Sequence, residues 1–120
     1  MEIKIYQINM DRDTNRIAFS GLEQLEKYQG SSEIDSGIYD EVFSGEVTCA
    51  GLEDVFRVFN LEHPRGYTGR SLSVSDIVQV VSSTDVAPGF YFCDSFGFQE
   101  VSFDPEMVPK ARQNDTILVV

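Results

Sequence analysis

Tryptophan is absent from the 120-residue sequence, and histidine and cysteine are scarce, with one His and two Cys. Cys49 and Cys93 form no C-x-x-C pair, so the spacing typical of zinc sites and of thioredoxin-like redox sites is missing. His63 precedes a proline in a loop, and no G-x-S-x-G elbow supplies a nucleophile for it. We therefore interpret both cysteines as free, buried thiols, and we expect no metal and no cofactor.

Basic residues are also few, since nine Lys and Arg stand against twenty Asp and Glu, for a formal net charge of −11. Binding to DNA or RNA depends on Lys and Arg that release counterions from the phosphates, so direct nucleic-acid binding is unfavourable. The same acidic field attracts basic partners, including proteins whose own grooves accept phosphates. Solubility alone also explains the charge, so an interaction role and a purely solubilising role both remain open.

Long apolar runs and phosphate-binding loops are missing too. The N-terminal segment alternates apolar and polar residues, unlike a signal peptide, and no run approaches the roughly 18 apolar residues of a membrane span. We expect a cytoplasmic protein that does not contact a membrane. The glycines match neither G-x-G-x-x-G nor a P-loop, and adjacent acids such as Asp40-Glu41 arise by chance in so acidic a chain. These absences predict a protein without enzymatic activity, and an enzyme that uses facing carboxylates is the alternative.

The residues that are present suffice for one folded domain over 1–120, because 42% are hydrophobic and nine Phe and five Tyr are among them. Alternating or β-branched runs predict strands at 2–8, within 38–48 (one strand or a pair), at 77–81, at 90–93 and at 98–103. Helical spacing predicts helices at 21–29 and from Leu52 to about Asn60, a short turn after Asp104-Pro105, and a loose tail or edge strand at 113–120. The fold class is therefore α+β, with a small, mostly antiparallel sheet of about four to six strands and two short helices packed on it.

Cap and turn residues define the ends of these elements. Ser20 and Glu23 have the spacing of a capping box for the first helix, and Thr48 is a candidate cap for the second. Asp94 and Gly97 occupy the first and last positions of a predicted type I turn that joins two strands as a hairpin. Before the strand at 77–81, Asp76 or the preceding serine is predicted to bind turn amides.

The loop at 65–76 is the most distinctive segment, because it combines two of the few basic residues with an aromatic residue, glycines and serines. Functional residues concentrate on loops that a rigid scaffold holds. One interpretation is an interaction site, including a nucleic-acid-binding module as an alternative function; the other is that the polar residues only satisfy turn amides and nearby acids. The candidate interaction residues are Arg65, Tyr67, Arg70, Ser71, Ser73, Asp76 and, in the later turn, Asp94.

Four segments together resemble the YodL-like domain of Gram-positive bacteria. They are Y-D-E-V-F-S-G at 39–45, L-E-D-V-F at 52–56, G-R-S-L-S-V-S-D-I-V at 69–78 and Y-F-C-D-S-F-G-F at 91–98. The resemblance covers about residues 38–103 and extends to the N-terminal strand.

That domain is often encoded on conjugative and phage-like mobile elements, and the resemblance implies no catalytic residues. It implies a role in maintaining the element or against host defence, where acidic proteins can mimic DNA. We therefore expect a small acidic module of a mobile element that binds a protein partner, either a basic protein or one that itself binds nucleic acid.

Overall fold

The structure, a computed structural model, describes residues 1–65 and 67–109. These residues form a five-stranded antiparallel sheet and two α-helices, which confirms the predicted α+β fold. The predicted tail at 113–120 lies outside the described residues. In chain order the elements are β1 (Glu2–Ile8), α1 (Leu22–Gln29), β2 (Tyr39–Glu46), α2 (Leu52–Arg57), β3 (Ile77–Ser82), β4 (Gly89–Cys93) and β5 (Phe98–Val101), with one π-helical turn after α2 (Val58–Glu62) and short 3-10 turns at Met10–Arg12, Ser36–Ile38 and Pro105–Met107.

The sheet has the order β2-β1-β3-β4-β5, which places β1 next to two strands that lie far from it in sequence. Successive side chains of a strand point to opposite faces, and both faces of β1 are covered. Ile3 and Ile5 pack in the core beneath α2, whereas Tyr6 and Ile8 pack in the core beneath α1. The molecule therefore has three layers, with the sheet between the two helices.

Each helix contributes one row of apolar side chains to its core. On the α1 side, Leu25 is buried with residues of β1, β3 and β4, and Phe103 packs against both Tyr6 and Tyr39. On the α2 side the predicted stripe from Leu52 is real, but only part of it is buried. The buried members of this second core are Ile3, Ile5, Val55, Phe59, Leu72 and Val78.

Several local predictions are confirmed, and two caps are wrong. The 38–48 segment is one strand, and the β4–β5 hairpin closes where Asp94 N donates to Gly97 O at 2.9 Å. The first helix begins one residue later than the predicted capping box requires. Gly21 takes the N-cap position and its N–H donates to Gln24 Oε1 at 3.1 Å, so Ser20 and Glu23 do not form the box. Thr48 caps nothing, because α2 begins after Gly51.

Most of the candidate interaction residues lie at one end of the sheet. Antiparallel pairing brings the end of β1 beside the starts of β2, β3 and β5 and the end of β4. We call this region the loop end, and it comprises residues 9–12, 19–22, 36–38, 70–76 and 94–97. Its segments are joined by hydrogen bonds between loops, such as Phe19 N to Ser75 Oγ at 2.9 Å and Asn9 N to Ile38 O at 2.8 Å.

Candidate functional site

Asp76 lies at the centre of the loop end and is completely buried. Its Oδ2 accepts hydrogen bonds from Ser73 N at 2.8 Å and from Gln7 Nε2 at 3.0 Å, which confirms its predicted role in binding a turn amide. Its Oδ1 has no hydrogen-bond partner among the described residues. Burial raises the pKa of Asp76 to about 7, although the two hydrogen bonds and the charge of Arg70 act in the opposite direction. A substantial fraction of these carboxyls is therefore protonated at neutral pH.

Gln7 connects the central strand to this loop, and it is not among the candidate residues predicted from the sequence. Besides Asp76, its side-chain amide bonds both backbone groups of Arg70, with Nε2 donating to the carbonyl and Oε1 accepting from the N–H, each at 3.0 Å. Tyr67 also donates its hydroxyl to the carbonyl of Arg70. The sequence did contain a sign of this role. Gln7 alternates with Ile3 and Ile5 and so points inward, and a buried side-chain amide requires hydrogen-bond partners.

Ser75 holds an unusual backbone conformation, with φ at 85°, a region that residues other than glycine rarely adopt. Three groups fix it there: its N–H donates to Cys93 O at 2.9 Å, its carbonyl accepts from Tyr39 Oη at 2.7 Å, and its Oγ binds the segment before α1. Burial and then the nearby carboxylates raise the pKa of Tyr39, so its hydroxyl stays a donor. Such conformations persist only where the surroundings enforce them, which makes this turn a rigid part of the site.

The two arginines of the candidate loop differ in their surroundings. Arg70 donates to the carbonyl of Ile8 at 3.2 Å, and its guanidinium lies 5.4 Å from the ring centre of Phe19, a cation–π arrangement. Arg65 is exposed and forms no hydrogen bond or ion pair within the described part of the chain. Arg70 is also exposed, but its guanidinium has these two internal contacts, whereas Arg65 has none among the described residues.

The remaining candidates also bind backbone groups. Ser73 Oγ donates to the carbonyl of Ser71 at 2.9 Å, and Ser71 Oγ lies 3.2 Å from His63 Nε2. Asp94 Oδ1 accepts from Leu22 N at 3.2 Å and so caps α1 from a neighbouring hairpin. The structure thus brings Tyr67, Arg70, Ser73 and Asp76 into one network around Gln7 and places Asp94 beside it at the same end of the sheet.

A hollow of about 210 Å³ opens beside this network, and Met10, Asp11, Asp40 and Arg70 contribute to its walls. Partial burial would raise the pKa of Asp40, but hydrogen bonds from Arg12 at 2.6 Å and from Asn9 at 2.8 Å lower it overall. Asp40 is therefore held ionised. The two carboxyls of this end thus differ, because the pKa of Asp40 is lowered whereas that of Asp76 is raised.

Large apolar side chains are exposed on the loops of this end. Phe96, at the tip of the β4–β5 hairpin, is 91% exposed, Met10 is 56% exposed and Phe19 is 50% exposed. Of these positions, the sequence predicted a structure only for 94–97, as a turn, and it predicted no contact role for Phe96. The aromatic residue in the turn D-S-F-G could have indicated an exposed contact residue, because turns favour small and polar residues.

The two cysteines differ in their burial. Both cysteines are free, as predicted, but only Cys93 is buried, whereas Cys49 is partly exposed on the segment between β2 and α2. Burial and neighbouring acids raise the pKa of Cys93 to about 12, so this thiol is an inert core residue.

Within residues 1–65 and 67–109, no helix has the length and apolarity needed to cross a membrane.

Comparison with known proteins finds one family. The family model described as "YodL-like domain" matches residues 2–103, which include all five described strands and both described α-helices. The match covers the N-terminal strand as well as the segments from 38 onwards. No curated protein and no solved structure matches the chain.

Proposed function

The chain belongs to the YodL-like domain family, and we propose that it is a non-catalytic protein-binding module that contacts its partner through the loop end. The observation that carries this proposal is the exposure of Phe96, Phe19 and Met10 on loops at one end of the sheet. A side chain as exposed as Phe96 gains nothing from the fold itself. It gains free energy when a partner covers it.

The loop end has the physical properties of a binding surface. Aromatic side chains in protein interfaces bury a large area with few rotatable bonds, and methionine adapts to irregular pockets. Beneath them, Gln7, Ser75 and Asp76 tie three loops to the sheet by hydrogen bonds. Anchors on a rigid support lose little conformational entropy on binding, which favours affinity.

The charge of the molecule determines the class of partner. With a formal net charge of −11, it attracts basic surfaces and accelerates encounter with them at low ionic strength. We therefore propose a basic partner, either a host protein or one encoded on the same mobile element, as the family resemblance implies. A protein that binds nucleic acid has such a surface.

Mimicry of DNA is a narrower form of the same proposal. It requires carboxylates in rows that match the phosphates of a duplex. Exposed acids occur on both helices, which cover opposite faces of the sheet, as Glu23 on α1 and Glu53 on α2 show. They also occur on both edge strands, at Glu41 on β2 and Glu100 on β5. This distribution favours a general acidic field, and we propose the hydrophobic loop end as the source of specificity.

The test is affinity capture with the full-length chain from a nuclease-treated lysate of a Gram-positive bacterium. We expect one or more basic proteins to be recovered at low salt and less at high salt. Phe96→Ala removes an exposed ring without affecting the core, and we expect at least about tenfold lower recovery. Tyr28→Ala is the matched control, because Tyr28 is 62% exposed on α1, away from the loop end.

Two results would contradict the proposal. One is equal recovery by the Phe96→Ala and Tyr28→Ala variants, which would exclude the loop end as the contact surface. The other is the failure of the wild-type chain to recover any protein at low salt. Circular dichroism of each variant verifies that the fold is intact.

A further inference from the structure

The strand β5 forms one edge of the sheet and offers backbone groups for pairing. It pairs with β4 on one side only, from Phe98 opposite Cys93 to Val101 opposite Phe90. In an antiparallel ladder, alternate residues direct their N–H and C=O groups away from the neighbouring strand. Among the described residues, no hydrogen bond other than those of the β4–β5 ladder reaches residues 98–101. The outer edge of β5 is therefore a template for another strand.

Beside this edge, on the α1 side, lies a groove of about 590 Å³. Its apolar surface comes from Leu22, Ile34 and Val101, which are only partly buried against the core. A second hollow of about 510 Å³ adjoins it and shares Ile34 and Glu33 with it. The first groove thus lies beside β5 and offers a partly apolar depression for side chains of an extended chain, and the second continues it away from the strand.

The charges that the described residues place at this edge have one sign. Glu26, Glu33 and the β5 residue Glu100 line the groove, and no Lys or Arg among the described residues does. Val101 packs on the α1 side, so alternation directs the side chain of Glu100 from its place beside the groove to the opposite face of the sheet. A second copy of this acidic strand would place like charges beside each other, which disfavours self-pairing. A basic strand would meet opposite charges instead.

We infer that the β5 edge binds an extended segment of a partner protein in which apolar and basic residues alternate. The segment adds a strand to the sheet, with its apolar side chains in the groove on the α1 side and its basic side chains beside Glu100 on the other face. Main-chain hydrogen bonds to β5 provide affinity, and the groove and Glu100 provide selectivity. This inference rests on the proposed protein-binding function and adds a second surface, distinct from the loop end.

The experiment titrates the isotope-labelled full-length chain with a short peptide of alternating valine and lysine. NMR spectra and amide hydrogen exchange are recorded, with a peptide of alternating valine and glutamate as the comparison. We expect the Val/Lys peptide to shift the β5 amide signals and to slow the exchange of the outward-facing β5 amides. The Val/Glu peptide should bind at least about tenfold more weakly.

Two charge-reversal variants separate the edge from the overall charge. Glu100→Lys should weaken Val/Lys peptide binding about tenfold, whereas Glu41→Lys, with the same change in net charge but on β2 at the opposite edge of the sheet, should leave it nearly unchanged. Equal weakening by both variants would overturn the inference, as would equal binding of the two peptides. Outward-facing β5 amides that already exchange slowly in the free protein would overturn it too, because the edge would then be covered.

The two proposals fail in different ways. Loss of partner capture by Phe96→Ala with no peptide binding at β5 would leave the loop end as the contact surface and reject the edge. Peptide binding at β5 with unchanged capture by Phe96→Ala would retain the edge and reject the loop end.

Discussion

Asp76 is the residue whose chemistry departs most from its ordinary behaviour, and its effect on stability has a definite sign. Its pKa is about 7 in the folded protein and near 3.8 when exposed. Well below pH 4 Asp76 is protonated in both states, and well above pH 7 it is ionised in both. Between these limits the folded state retains a proton that the unfolded state releases, so the free energy of unfolding falls as pH rises, by up to about 4 kcal/mol.

Asp76→Asn tests this prediction. The amide cannot ionise, and its oxygen can still accept from Ser73 N and Gln7 Nε2. Urea unfolding at several pH values between 4 and 8 should give a wild-type minus variant difference that declines with rising pH. A constant difference across this range would show that Asp76 does not titrate in it. The other acids are the same in both proteins, so the difference in the free energy of unfolding reports on the Asp76 carboxyl alone.

The sequence predicted some of these contacts and not others. The difference depends on how many residues separate the two partners along the chain. The bond from Ser73 N to Asp76 spans three residues and belongs to a known turn pattern, so the sequence contains its signal. The bond from Gln7 to Asp76 spans 69 residues, and no local pattern encodes it. Arg70 and Tyr67 were placed correctly in the distinctive loop, but their use in internal contacts depends on β1.

At the scale of elements, α2 shows how a helical stripe divides between core and surface. Phe59 is completely buried and packs edge-on against Phe43 and Tyr67 at ring-centre distances of 4.9 and 5.1 Å. Phe56, on the same stripe, is 36% exposed. The helical spacing predicted the element, but it did not predict that Val55 and Phe59, four residues apart, face the core while Phe56 lies at the margin of the stripe.

We predict that Phe59→Ala lowers the free energy of unfolding by about 3 to 5 kcal/mol, because it leaves a cavity among rings. Phe56→Ala is the matched control and should cost about 1 kcal/mol or less, since much of its ring already contacts solvent. Urea denaturation of both variants measures the difference. Similar losses for the two would mean that the helix buries both rings.

The strands were easier to predict than their neighbours in the sheet. Alternation and β-branched runs located β1, β3 and β4 to within about two residues, and the D-S-F-G turn identified the hairpin. The pattern of β1 does not reveal that it is central, because Lys4 and Gln7 interrupt both of its faces. Its position follows from pairing with β2 and β3, and pairing partners are not local information.

For the whole molecule, the excess of acids produces self-repulsion that opposes compaction. The described residues form five ion pairs, and in each at least one partner is 41% exposed or more, so these pairs contribute little. Repulsion among the remaining acids should therefore outweigh them.

We predict that raising sodium chloride from about 20 to about 200 mM, which shortens the screening length, increases the melting temperature by a few degrees. Differential scanning calorimetry measures it. Potassium chloride at equal ionic strength is the control and should have the same effect. A melting temperature that falls with salt would show that the ion pairs dominate.

The central position of β1 also affects how the chain is made. A ribosome adds about 5 to 20 residues per second, so β1 emerges seconds before β3, its neighbour in the sheet. Until Ile77–Ser82 has left the exit tunnel, Ile3 and Ile5 have β2 on one side but lack β3 on the other. The nascent chain therefore exposes one edge of an apolar strand until β3 emerges, and the sheet cannot be completed before then. A mutation that slows the β1–β3 pairing would reduce the yield of folded protein in the cell more than its effect on equilibrium stability indicates.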